Sequence, residues 1–163
     1  MFSGDPCSLI TTAELEAAIG GGNVSESPEP DRESGESSCS WTLDAPGNPV
    51  GDNVNLTIVS PGGAADFAST RQFLLALEGS ANSADPSAAI ATATSSIGPS
   101  DADLGISLQT LPGVGDDAFI GAAGTVYTLK GDTELELQLI AIDDPTAQQD
   151  TIDLLKKALA RLP

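Results

Sequence analysis

Four groups of side chains in this sequence could do chemistry. The first is the cysteine pair Cys7 and Cys39, which frames a stretch rich in Gly, Ser, Pro and Glu. An even pair of cysteines in a strongly acidic chain reads as one disulfide, and so as a protein made for an oxidising compartment. The second group is the close acid pairs Asp101 and Asp103, Asp116 and Asp117, and Asp143 and Asp144. Adjacent carboxylates do not span a scissile bond, so a glycosidase would need partners brought together by the fold. Asp101 and Asp103 lie in a loop flanked by Pro and Gly and are the candidate Ca²⁺ ligands, although the rest of an EF-hand loop is missing. The third group is the lysines Lys130, Lys156 and Lys157, in a hairpin turn and at a helix end, poor places for a Ser–Lys pair. The fourth is the single Trp41, whose place beside Cys39 and Leu43 on one strand face makes it a core residue rather than a ligand-stacking platform.

The residue types that are missing exclude more. There is no histidine, so neither a Ser–His–Asp nor a Cys–His arrangement can form. With both cysteines in one bridge, zinc has no soft ligand set. Gly113-Val114-Gly115 is too short for a nucleotide-binding fingerprint, and a strand rather than a helix follows it. No catalytic residue, no cofactor and no further metal site is expected. Asp and Glu number 24 against 6 Lys and Arg, a formal charge of −18, which repels phosphate backbones and anionic lipid surfaces. Nucleic acid is therefore not an expected partner.

The elements that must position these groups follow from periodicity. Thr11 and Glu14 form a capping box that opens a helix carrying Leu15, Ala18 and Ile19, which Gly20-Gly21-Gly22 ends. Asn23 to Ser38 is polar with Pro28 and Pro30 and reads as an exposed loop. Cys39 to Leu43 and Val54 to Val59 alternate as a strand pair across the turn at Pro46-Gly47-Asn48-Pro49. Ala64 to Leu77 is helical, with Phe67, Thr70, Leu74 and Leu77 on one face and Gly79 just past its end. Residues 80–105 form a connection, flexible or partly helical around Ser87 to Ala93. Ala118-Phe119-Ile120 is a strand. Val126 to Leu129 and Glu134 to Leu139 make a hairpin with Leu135, Leu137 and Leu139 inward and Glu134, Glu136 and Gln138 facing water. Asp144 and Pro145 start a last helix, whose stripe is Ile152, Leu155, Leu159 and Leu162. Lys156, Lys157 and Arg161 lie in its final turns, where they offset the helix dipole.

One domain over 1–163 is expected, α+β, with an antiparallel sheet of about five strands and the helices packed on one face. Its two halves are loosely similar, each a hairpin feeding a helix. No apolar run is long enough to span a bilayer. Met1-Phe2-Ser3-Gly4-Asp5 lacks the basic start and apolar stretch of an export signal, so any signal or lipid anchor is expected to have been removed upstream.

Asp5-Pro6-Cys7-Ser8-Leu9-Ile10-Thr11, the strand Cys39-Ser40-Trp41 and the turn Gly113-Val114-Gly115-Asp116-Asp117-Ala118 together resemble a group of actinobacterial secreted lipoproteins of unknown function. Members share an Asp-x-Cys-x-Leu-Leu-Thr start, a second Cys followed by x-Trp, and a Gly-x-Gly-Asp-x-Ala turn. The resemblance spans most of the chain outside 80–105. It implies an exported, often lipid-anchored α+β domain with its two cysteines joined, and carries no catalytic residues. Two functions are expected from these observations. The first is a non-catalytic envelope-associated module that binds a protein or small ligand. The alternative is a carboxylate-based hydrolase or carbohydrate-active domain.

Overall fold

The computed structural model of the chain describes residues 2, 4–18, 23–29, 35–44, 52–81, 108–121, 124–139 and 145–163. A short 3-10 turn, Pro6–Leu9, precedes α1 (Thr12–Ala18). The Asp5 carboxylate accepts from the Cys7 backbone N–H at 3.0 Å and caps that turn. The Thr11–Glu14 capping box forms as expected: the Thr11 N–H donates to Glu14 Oε2 at 3.0 Å and the Glu14 N–H to Thr11 Oγ1 at 3.3 Å.

Three strands follow, β1 (Asn23–Glu29), β2 (Glu36–Asp44) and β3 (Asp52–Val59), leading to α2 (Gly63–Ala81). The second half holds β4 (Gln109–Thr110), β5 (Asp117–Ile120), β6 (Val126–Lys130), β7 (Thr133–Leu139) and α3 (Pro145–Arg161). Among the described residues these strands make one sheet, in the order β1-β2-β3-β7-β6-β5-β4, with every pair antiparallel. Each half is thus a meander. The two meet at the centre, where Leu56 pairs with Leu137 and Ile58 with Leu135.

The α+β class and the antiparallel sheet agree with the sequence, but three details are corrected. The sheet has seven strands rather than about five. One added strand is β4, and the other is β1, in the stretch that reads as loop. β1 pairs along its whole length with β2, from Asn23 opposite Asp44 to Glu29 opposite Ser38. As an edge strand exposed on most of its length it needs no apolar alternation, and its Pro28 is of the kind edges tolerate. The helix α2 also runs past Gly79 to Ala81.

The third correction concerns layers. The helices lie on both faces of the sheet. On β5, Ala118 and Ile120 belong to the main core with Leu154, Leu155 and Leu159 of α3, whereas Phe119 between them packs with Phe67 and Leu74 of α2. Both parities of β5 and β6 are apolar, as Phe119, Tyr127 and Leu129 add a second stripe, and a strand apolar on both faces has to be covered on both. The Phe119 ring lies 5.0 Å from Phe67 and 4.9 Å from Tyr127 between centroids.

The main core fills the other face. Trp41, Val54, Leu56, Ile58, Leu135 and Leu137 are fully buried there, together with Leu15 of α1, each worth about 1.5–3 kcal/mol of apolar burial. Cys7 and Cys39 form a disulfide within it, Cα to Cα 5.2 Å. Trp41, two residues along the same face, is buried beside it.

Candidate functional site

Because α2 lies over β7 and β6 and reaches only as far as one end of β3, the same sheet face is left uncovered by it across β1, β2 and the Asn53 and Asn55 part of β3. The register lays out what this area presents. One row runs Ser25, Thr42, Asn53, and the next runs Ser27, Ser40, Asn55, Gln138. Ser25, Ser27, Thr42, Asn53 and Asn55 are exposed, and Ser40 and Gln138 are half-buried. Thr42 Oγ1 donates to Asn53 Oδ1 at 3.3 Å across the strands. Four strands at a spacing of about 4.8 Å give a surface roughly 15 Å wide. Hydroxyls and amides pave it, and neither row contains a large apolar side chain.

One corner of this surface is acidic. Glu134 and Glu136 are two residues apart on β7 and so point to the same face. The Val59 neighbour of Glu134 pairs in turn with Glu36 on β2, which sets Glu36 two strands away on the same face. Asp66, in the first turn of α2, descends on Glu134 and makes a side-chain hydrogen bond with it. This corrects the expectation that Glu134 faces water. It is 2% exposed, and its Oε2 finds no donor. Burial first, then the Asp66 and Glu136 carboxylates, push its carboxyl up to about 8. Glu136 is raised as well, by burial and then by Asp66 and Glu36, with a hydrogen bond from Tyr127 working the other way. The Tyr127 phenol is pushed up to about 12 by burial and then by the Glu136 and Glu134 carboxylates.

The β6–β7 turn fastens the helices around this arrangement. The Asp132 carboxylate accepts from the Gly62 and Ala64 N–H groups at 3.0 and 3.4 Å, capping α2. Two residues earlier in the chain, Lys130 donates to the Leu159 carbonyl at 2.7 Å in the last turn of α3. Asp116 holds the turn from below, accepting from the Gly131 N–H at 2.7 Å. At Gly115, φ is +63° and a Cβ would run into the Leu129 carbonyl oxygen, so only glycine fits.

The acids singled out from sequence do not converge. Asp116 braces a turn, and Asp117 pairs with Arg71 at 2.6 Å. Asp101, Asp103, Asp143 and Asp144 lie outside the described residues, as do the turn at Pro46-Gly47-Asn48-Pro49 and most of the 80–105 connection. Among the described residues no three acidic or cysteine side chains come close enough to hold a metal ion. Lys156 pairs with Asp153, and Lys157 with Glu14. The acidic corner was the feature missed. Its signal in the sequence is the outward residues Tyr127 and Leu129 on β6, which mark the neighbouring face of β7 as covered.

No protein-family model, curated protein or solved structure matches this chain.

Proposed function

We propose that the chain is a non-catalytic, exported, envelope-associated binding module that holds a partner against the open face of β1, β2 and β3. The observation that carries this reading is the face itself: rows of exposed hydroxyl and amide side chains on a rigid sheet, left bare by the helix that covers the other half. Such a surface offers directional hydrogen bonds on a preorganised scaffold. Its flatness suits a protein partner better than a small ligand, since small-molecule sites are concave and largely apolar. The Cys7–Cys39 bridge and the resemblance to secreted lipoproteins support an oxidising compartment. Among the described residues no helix is long and apolar enough to cross a membrane.

The alternative, carboxylate chemistry, draws on the one raised carboxyl at Glu134 beside Asp66. Two features count against it. At 2% exposure Glu134 cannot meet a substrate without movement of α2, and a hydrogen-bonded pair is closer than the roughly 5–10 Å that flanks a scissile glycosidic bond.

A photo-crosslinking residue at Asn55, with one at Lys156 on the far side as control, tests the binding reading in the source cell envelope. A discrete adduct from position 55, absent from 156 and abolished by Thr42→Arg, is the expected result. Equal labelling from both positions would overturn it.

A further inference from the structure

We infer that the acidic corner of the open face receives an arginine side chain of the partner, which seats on the accessible carboxylates Glu36, Glu136 and Asp66 with the buried Glu134 beside them. This rests on the reading of the open face as a docking surface and names the chemistry of what docks there.

Charge is the first reason. Four carboxyl groups line this corner, from β2, β7 and α2, without closing round a single point; among the described residues Tyr127 on β6 is the remaining titratable neighbour, and β3 contributes Thr57 and Val59. Every cation among the described residues is engaged elsewhere. Arg71 binds Asp117, Lys130 the Leu159 carbonyl, Lys156 Asp153, and Lys157 and Arg161 both bind Glu14. No side chain of the described chain neutralises the corner.

Glu134 supplies the second reason independently. Its Oε2 is buried with no donor, a condition that proteins rarely leave uncompensated. Burial and the neighbouring Asp66 and Glu136 carboxylates raise the Glu134 carboxyl, so in the free protein it holds a proton where a nearby cation would serve better.

Geometry selects the guanidinium. Glu134 and Glu136 are spaced by about 7 Å along β7, and Glu36 lies about 10 Å away across two strands. A planar group with five donors around its rim can serve carboxylates that approach from different sides, and it is more weakly hydrated than an ammonium, so less is lost on bringing it to a half-buried corner. Its approach is from the side of Asn55, which is exposed. Arrival of the positive charge favours the ionised form of Glu134, and its proton leaves to solvent.

Titration calorimetry tests this with an acetylated and amidated peptide of alternating Arg and Ser, eight residues long, at about pH 7 and about 150 mM salt. Two buffers of different protonation enthalpy report any proton released. Binding with net proton release is expected, weakened about tenfold or more by Glu36→Gln with Glu136→Gln. Asp150→Asn with Asp153→Asn, the same charge change on α3, is expected to alter affinity less than about twofold, as for screened surface charge. Glu134→Gln should abolish the proton release. Equal weakening by the two double variants, or binding without proton release, would reduce the effect to general attraction by an acidic chain and overturn the proposal. So would no binding at all. An alternating Lys and Ser peptide that binds as tightly would overturn the choice of guanidinium. Should the double variant fail to fold, the carboxyl ¹³C shifts of Glu134 and Glu136 in the unaltered protein decide: ionisation on adding the peptide supports the site, and unchanged shifts sink it. If the peptide fails while the Asn55 crosslink still captures a partner, the arginine site falls and the docking face stands.

Discussion

Arg161, in the last turn of α3, forms a two-pronged ion pair with Glu14 of α1, both N–O distances being 2.7 Å. The same guanidinium donates to the Leu9 carbonyl at 2.7 Å. Glu14 already closes the capping box of its own helix, so one carboxylate joins the two ends of the chain.

That pair should make the fold acid-sensitive. The Arg161 hydrogen bonds, helped by those from Thr11 and opposed by partial burial, hold the Glu14 carboxyl down at about 2 against an ordinary value of 4.5. A depressed carboxyl stabilises the fold fully above its unfolded value. The contribution is lost as pH falls from about 4.5 towards about 2. Arg161→Met should cost about 1–2 kcal/mol at neutral pH, allowing for the partial exposure of the guanidinium. The difference from the unaltered protein should shrink by pH 2, as read by urea unfolding at both values.

Glu134 should act in the opposite sense. Its folded value is raised, to about 8 from 4.5, so the folded chain holds a proton that the unfolded chain gives up. Stability therefore falls as pH rises between about 4.5 and about 8 and then levels off. Glu134→Gln cannot ionise and can still donate to Asp66. It should be near neutral at pH 4.5 and stabilising by on the order of 3 kcal/mol at pH 9, since a tenfold change in proton affinity is worth about 1.4 kcal/mol and relaxation around the ionised group recovers part of the total. Denaturant midpoints that differ from the unaltered protein equally at both pH values would show that burial does not govern this carboxyl.

The Asp132 cap is a separate lever. Asp132→Ala removes the acceptor for the first N–H groups of α2 and should cost about 1–2 kcal/mol. Amide hydrogen exchange should show the loss concentrated at Gly62 to Asp66, with the α3 amides protected as before.

Reduction of Cys7–Cys39 frees a loop with a sequence separation of 32 residues and should cost about 3–4 kcal/mol on the chain-entropy account. The bridge is buried beside Trp41, so dithiothreitol should act slowly on the native protein and quickly in denaturant. Equal rates, measured by alkylation and mass spectrometry, would show an exposed bridge.

Local chemistry determined a good deal of this from sequence alone. Thr11 and Glu14 announce their capping box because its bonds span three residues. Cys7 and Cys39 announce their bridge by parity, and Leu135, Leu137 and Leu139 their strand by alternation. Those signals are complete within a few residues or depend on composition. β1 was hidden because an edge strand has solvent around it and Ser, Glu and Pro suffice there. The pairing of β3 with β7, which joins the two halves, was hidden for another reason: it is set by which apolar faces meet, and Leu56 carries no mark that names Leu137. Alternation likewise shows that Glu134 lies opposite the core face, but not that Asp66, 68 residues earlier in the chain, comes down on it. Whether that second face is water or protein decides whether Glu134 is an ordinary surface acid or a buried one that keeps its proton. Only the packing of α2 on Phe119 decided that.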